Sequence, residues 1–105
     1  MNKNNKNKNN ETDFLQELFN IIQNKAKGKD NKSYTKFLLK SGKKKIAKKV
    51  GEESAELLID YLNGTKKRTI EEASDLIYHL FVLLYSKKIS LNDIKKELTN
   101  RHRVR

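Results

Sequence analysis

Proline is absent from all 105 residues of the chain, and only four residues are glycine. Proline breaks helices and glycine weakens them, so a chain with so few of both can stay helical over most of its length. Asp, Glu, Lys and Arg make up 35% of the residues, and most of these are long side chains that favour helices. We therefore predict an all-α fold.

Apolar residues recur at helical spacing in four segments of the chain. One of these segments is apolar nearly all round between Leu76 and Leu84, which favours burial on several sides. A less regular stretch around Tyr34 is expected to form a short helical turn. The predicted helices cover residues 13–27, 43–62, 70–86 and 91–100. Capping boxes are predicted at Asp13 with Gln16, at Thr69 with Glu72 and at Ser90 with Asp93.

The two ends of the chain differ in composition from its middle. Residues 1–12 begin with an asparagine- and lysine-rich run that cannot form a core, so we expect a disordered tail. Residues 13–102 are expected to form one α-helical domain, followed by a basic end at residues 103–105. The ends hold six of the positive charges in a net charge of +11. Solubility is one explanation, and weak attraction to phosphates is another.

Length and composition also limit the classes of protein to which the chain can belong. A single domain of this size has a thin core, so we expect a four-helix-type bundle completed by dimerisation. No apolar run approaches the roughly 20 residues of a membrane span, and the N-terminus lacks the apolar stretch of a signal peptide. The absence of cysteine excludes disulfides and thiolate metal sites and fits a reducing compartment. We expect a cytoplasmic protein without a membrane partner.

Acidic residues cluster in this otherwise basic chain. Glu52, Glu53 and Glu56 share one helix face within a turn, and Glu72 and Asp75 share a face of the next helix. A short loop makes the two helices antiparallel neighbours, and both acidic groups lie about 11 residues from the loop. Carboxylates gathered at one level need a counter-charge, which a hard divalent cation such as Mg²⁺ provides.

Lysines precede this acidic group by one or two helical turns. A metal ion together with lysines is typical of a site that binds a polyphosphate. We expect Lys49 to be the main phosphate contact, with Lys45 and Lys48 behind it. Simpler interpretations remain open. A single E-x-x-E pair is usually a solvated face, Glu72 can serve as a cap, and lysine–glutamate pairs four residues apart can be surface salt bridges.

Several segments resemble one enzyme family: SYTKFLLKSG, KKIAKKVGEESAELLID, EEASDLIYHLFVLL, ISLNDIKKEL and the closing Arg101-His102. Over about residues 14–102 the chain resembles the phosphoribosyl-ATP pyrophosphatases of the all-α NTP pyrophosphatase (MazG-like) superfamily. The resemblance implies Mg²⁺-dependent hydrolysis of phosphoribosyl-ATP to phosphoribosyl-AMP and pyrophosphate, the second step of histidine biosynthesis. We expect the stand-alone form of the enzyme, acting as a homodimer.

The same resemblance implies roles for individual residues. Glu53, Glu56, Glu72 and Asp75 would ligate metal, and Glu52 would be a further ligand or would orient the attacking water. Tyr34 and Thr35 lie in the SYT segment and are expected to touch substrate, although core packing is an alternative for Tyr34. His79, one turn after Asp75, would orient that acid or would simply be a half-buried histidine.

Three other functions compete with this one. A house-cleaning pyrophosphatase for (d)NTPs would use the same carboxylates, because these do not encode the base and ribose pocket. A helical nucleic-acid-binding protein would use the lysines, but the adjacent acids would repel phosphates and no DNA-binding motif is found. A scaffold bundle would leave the carboxylate spacing unexplained. We therefore expect a nucleotide as substrate and no nucleic-acid partner.

Overall fold

The computed structural model describes residues 3–29 and 32–104, with the side chains of residues 14–29 and 32–102. Within these ranges the chain is α-helical and has no strand, which confirms the all-α prediction. No helix in the described ranges is long and apolar enough to cross a membrane. The helices are α1 (Lys3–Lys27), α2 (Tyr34–Ser41), α3 (Lys43–Asn63), α4 (Lys66–Ser86) and α5 (Leu91–Val104).

Helices α3 and α4 form a hairpin that is the most extensively packed pair in the fold. Only Gly64 and Thr65 separate them, so the helices run antiparallel, as predicted. The Gly64 N–H donates to the Asp60 carbonyl at 2.8 Å, and a Cβ at Gly64 would lie 2.9 Å from the Asp60 Cα. A larger residue at Gly64 would therefore push the hairpin turn apart.

The N-terminus of α4 lies one turn earlier than predicted. Thr65 is the N-cap, and its hydroxyl accepts from the Arg68 N–H at 3.1 Å. Thr69, the predicted cap, instead donates to the Thr65 carbonyl at 2.9 Å from inside the helix. The prediction of a Thr69–Glu72 capping box is wrong, because Thr65 can cap the helix directly after the Gly64 turn. Glu72 is thereby free of a capping role.

The start of α1 also differs from the prediction. The helix runs from Lys3 through Asp13, so Asp13 is not an N-cap and the predicted capping box is wrong. Gln16 instead donates to the Asn20 side chain at 2.9 Å. The preceding segment has no proline or glycine that would stop the helix. The expected disorder of residues 1–12 and the division into tail, domain and basic end stay predictions, and residues 1, 2 and 105 lie outside the described ranges.

Helix α2 confirms the short helical segment expected around Tyr34. The Ser33 hydroxyl caps it by accepting from the Lys36 N–H at 3.3 Å. Gly42, with φ +94°, ends α2 and is also the N-cap of α3. This left-handed backbone suits glycine, because it lacks a Cβ. The sharp turn at Gly42 brings Leu38 of α2 and Ile46 of α3 into the same core.

The hydrophobic core gathers where the N-terminus of α3 meets the C-terminal half of α4. The Phe19 ring of α1 packs on the Phe81 ring of α4 with centroids 5.5 Å apart. The buried apolar residues are Phe19, Ile22, Leu38, Ile46, Phe81, Val82 and Leu84. The acidic residues lie between this core and the Gly64 turn, near the middle of α3 and in the first half of α4.

Helix α5 is capped as predicted but packs only loosely on the rest of the described chain. The Ser90 N–H donates to the Asp93 carboxylate at 2.9 Å, and the Asp93 N–H donates to the Ser90 hydroxyl at 3.1 Å. Among its apolar residues, Leu91 packs against the core, whereas Ile94 and Leu98 are exposed.

Candidate active site

Three glutamates from α3 and α4 converge near the middle of the hairpin. Glu53, Glu56 and Glu72 each offer one carboxylate oxygen, and these oxygens lie within 4.8 Å of one another. Glu53 and Glu72 are buried, whereas Glu56 is exposed. The convergence follows from the E-x-x-E spacing on α3 and from the tight turn that lays α4 alongside it. We call these three residues the carboxylate cluster.

Glu72 is the most electrostatically perturbed member of the carboxylate cluster. Its Oε2 is buried and has no hydrogen-bond partner among the described residues. A proton shared with the Glu56 carboxyl, burial and the nearby negative charges raise the pKa of Glu72 to about 7, against the lowering effect of Arg68. When both carboxylates are ionised, neither has a proton to donate, which leaves Oε2 without a donor. A buried oxygen in that state favours a bound proton or cation.

Arg68 belongs to this site, although it was not among the residues predicted from the sequence. Its guanidinium donates to Glu72 Oε1 at 2.6 Å and to Glu71 Oε1 at 2.9 Å. It also lies 3.8 Å from Asp60 Oδ2 on α3. The signal was present in the sequence, because Arg68 and Glu72 are four residues apart. It was missed because α4 was predicted to begin only after Arg68.

The predicted phosphate-binding lysines lie on the same helix as two of the glutamates. Lys49 Nζ lies 3.9 Å from Glu53 Oε1, so its ammonium sits beside the carboxylate cluster. Lys45 and Lys48 are exposed. The Lys49–Glu53 contact is the i,i+4 pair that was expected as the simpler alternative. A contact between Lys49 and phosphate stays a prediction.

Asp75 and Glu52 were grouped with the cluster but are placed differently. Both are exposed, and neither contributes an oxygen to the group within 4.8 Å. Burial raises the pKa of the nearby Tyr34 hydroxyl, and Lys49 opposes that rise. Tyr78, Glu53 and, least of all, Asp75 add to it. The structure thus brings three of the four predicted metal ligands together. The roles of Asp75 and Glu52 stay predictions.

Two polar contacts tie α2 to α4 beside the cluster. The Tyr34 hydroxyl lies 2.9 Å from His79 Nε2, and the Thr35 hydroxyl contacts the Tyr78 hydroxyl. Thr35 is fully buried, whereas Tyr34 is half-exposed. His79 does not bind the Asp75 carboxylate, because its Nδ1 lies 2.7 Å from the backbone carbonyl of Asp75. Contacts of Tyr34 and Thr35 with substrate stay predictions.

Comparison with known proteins matches this chain to a protein family. The family model described as phosphoribosyl-ATP pyrophosphohydrolase matches residues 15–102. The chain belongs to this family. The match includes the whole carboxylate cluster, Arg68, Lys49 and the contacts between α2 and α4. It confirms the family inferred from the sequence motifs.

The chain is similar to relatives of two kinds: one close to it in length, and others about twice as long. The phosphoribosyl-ATP pyrophosphatase of Clostridium novyi (strain NT) is 45% identical over 92 residues, which cover 87% of this chain and 83% of that protein. The histidine biosynthesis bifunctional protein HisIE of Staphylococcus aureus (strain N315) is 42% identical over 91 residues. Its counterpart in Bacteroides thetaiotaomicron is 46% identical over 89 residues. The chain spans 43% and 44% of the length of these two bifunctional relatives.

Proposed function

We propose that this phosphoribosyl-ATP pyrophosphohydrolase family member hydrolyses phosphoribosyl-ATP to phosphoribosyl-AMP and pyrophosphate, as a step of histidine biosynthesis. The observation that carries the proposal is the family match over residues 15–102, which contains the carboxylate cluster. The names of the relatives from Clostridium novyi and Staphylococcus aureus support the reaction and the pathway. In this reaction water adds across the anhydride between the α and β phosphates, and pyrophosphate leaves.

Mg²⁺ is the proposed cofactor, and the residues present fit it. Glu53, Glu56 and Glu72 offer three hard oxygen ligands within 4.8 Å of one another, and the buried Glu72 Oε2 lacks a hydrogen-bond donor in the described chain. Mg²⁺ prefers carboxylate oxygens and keeps room for water and phosphate. When bound, such a cation polarises a phosphoryl oxygen and lowers the pKa of a coordinated water. Asp75 is proposed as an additional ligand from the exposed side.

The protein's own residues provide binding and orientation around that centre. Lys49 lies 3.9 Å from Glu53 and is placed to contact a phosphate oxygen bound beside the cluster. Lys45 and Lys48 would add positive charge on the approach to it. Exposed Glu52 is proposed to orient the attacking water and to receive its proton. Tyr34, half-exposed on α2, would contact the substrate at the edge of the site, with Thr35 behind it.

A homodimer is part of the same proposal. Leu58, Tyr61 and Leu62 on α3 have 61%, 73% and 73% of their surface exposed. Leu98 of the loosely packed α5 is 60% exposed. Large apolar side chains exposed together usually mark an interaction surface, and a second copy would bury them. A cytoplasmic location is proposed with this function, since a chain without cysteine suits a reducing compartment.

The test is pyrophosphate release from the purified protein, comparing phosphoribosyl-ATP with dATP and dCTP in Mg²⁺ and then in EDTA. Release from phosphoribosyl-ATP alone, abolished by EDTA, is the expected result. Release only from the deoxynucleotides would replace the proposal with a house-cleaning pyrophosphatase that uses the same cluster. Release from none of the three substrates would overturn the enzymatic proposal.

A further inference from the structure

Arg68 is a cation in contact with Glu72, a carboxylate that the proposed function assigns to a divalent cation. Its guanidinium lies 2.6 Å from Glu72 Oε1, while Glu72 also contributes to the carboxylate cluster. Two positive charges close to one carboxylate repel each other. An arginine in contact with Glu72 therefore weakens metal binding. Its presence needs an explanation other than metal binding.

The contacts of Arg68 identify that role. Its guanidinium reaches Glu72 and Glu71 on its own helix and lies 3.8 Å from Asp60 on α3, so one side chain faces acids on both arms of the hairpin. The Arg68 side chain is 54% exposed, whereas that of Glu72 is 5% exposed. The arginine can therefore move into water without disturbing the core. The buried glutamate has no such freedom.

When no metal ion is bound and all three glutamates are ionised, the carboxylate cluster holds three negative charges whose oxygens lie within 4.8 Å of one another. Among the described residues, the ion pairs that reach the cluster are Arg68 with Glu72 and the longer Lys49–Glu53 contact. Building on the proposed metal site, we infer that Arg68 is the built-in counter-ion of the metal-free cluster and competes with the divalent cation for Glu72. It is a positioning residue that stabilises Glu72 until metal replaces it.

Two opposite effects follow for a variant that lacks this charge. Arg68→Gln keeps a side chain that can hydrogen-bond but removes the competing cation, so Mg²⁺ or Mn²⁺ should bind about three- to tenfold more tightly. The same variant leaves buried Glu72 without its counter-charge when metal is absent, so its metal-free form should unfold at a lower temperature. Saturating Mg²⁺ should remove that difference. Arg68→Lys, which keeps the charge, should resemble the unmodified protein in metal affinity.

The experiment is calorimetric titration of the full chain with Mg²⁺ and Mn²⁺, together with thermal unfolding in metal-free buffer and in saturating Mg²⁺. Arg101→Gln is the matched control, because Arg101 pairs with Glu97 at 2.8 Å on exposed α5, away from the cluster. Tighter metal binding by Arg68→Gln, with a loss of stability confined to metal-free buffer, is the expected result. Tighter binding also by Arg101→Gln would overturn the inference, since net charge alone would then explain it.

The remaining outcomes separate this inference from the proposed function. If the unmodified chain binds Mg²⁺ but Arg68→Gln binds it equally or less tightly, the counter-ion role is wrong and the metal site stands. A stability loss of equal size with and without Mg²⁺ would likewise reduce Arg68 to a structural ion pair. If neither protein binds Mg²⁺ or Mn²⁺, both the inference and the proposed metal site fail.

Discussion

The Tyr34 hydroxyl lies 2.9 Å from His79 Nε2 and links α2 to α4 beside the carboxylate cluster. His79 Nδ1 lies 2.7 Å from the Asp75 carbonyl, which can only accept a hydrogen bond. Nδ1 therefore carries the proton in the neutral ring, and Nε2 accepts from Tyr34. The orientation of both side chains is fixed by this pair of bonds.

Tyr34→Phe removes the donor and leaves the buried Nε2 of His79 without its partner. We expect a loss of about 1 kcal/mol in the free energy of unfolding, the usual value for one such hydrogen bond. Urea unfolding of the purified protein measures it. Thr99→Val is the control, because it removes a hydroxyl from an exposed position on α5 and should change stability little. Equal stability of Tyr34→Phe and the unmodified chain would show that the contact between α2 and α4 contributes nothing net.

Glu56→Gln should change metal-free and metal-bound stability in opposite directions. In metal-free buffer the amide can donate to the unpartnered Glu72 Oε2 and removes one negative charge, so the melting temperature should rise by roughly 5 °C, or about 1 kcal/mol. Mg²⁺ should raise the melting temperature of the variant little, since the variant has lost a carboxylate ligand. In Mg²⁺ the variant should therefore be less stable than the unmodified chain. Pyrophosphate release should fall by on the order of 100-fold or more.

Differential scanning calorimetry with and without Mg²⁺ measures both effects of Glu56→Gln. Glu97→Gln provides the control, since it removes an exposed carboxylate on α5 that pairs only with Arg101 among the described residues. A Glu56→Gln variant that is stabilised by Mg²⁺ as much as the unmodified chain would contradict the metal assignment of Glu56.

Stability of the metal-free protein should fall as pH rises through the neutral range. The pKa of Glu72 is raised from 4.5 to about 7 in the folded protein, so folding favours its protonated form. That contribution is fully present below about pH 4.5 and is lost as pH rises through about 7. Glu72→Gln, which cannot ionise, should abolish this part of the pH dependence.

Thermal unfolding across that pH window, in buffers stripped of divalent cations, measures the effect. Adding Mg²⁺ at neutral pH should restore the stability that the unmodified chain has lost. The same addition should stabilise Glu72→Gln less. A melting temperature that falls between pH 5 and 7 to the same extent in both proteins, or that does not fall in the unmodified chain, would contradict the assignment of the raised pKa to Glu72.

The exposed apolar side chains of α3 predict an effect on association. Light scattering should give the unmodified protein twice the 12.3 kDa mass of one chain. Leu58→Lys places a charge at a side chain that is 61% exposed and should shift the population towards the monomer without unfolding α3. Asn92→Lys, an exposed change on α5, should leave the mass unchanged. A monomer in the unmodified protein would contradict the dimer proposal.

Local sequence signals identified most of the helical structure. The α3 helix and the Ser90–Asp93 cap follow from helical periodicity and from side chains that bond within four residues, so they were predictable. The starts of α1 and α4 were not. Asp13 and Thr69 carry capping patterns, but the helix continues through both because nothing before them breaks it and, for α4, because Thr65 caps first.

The sequence by itself determined that this chain is all-helical, belongs to one enzyme family and carries acids at helical spacing on two adjacent helices. Only the tertiary structure decided which acids meet. The tight Gly64 turn sets the register of α4 against α3, so Glu72 joins Glu53 and Glu56 while Asp75 remains outside the cluster. The same register buries Glu72 in the hairpin and places Arg68 3.8 Å from Asp60 on α3, and both results depend on distances across the hairpin and not on spacing along the chain.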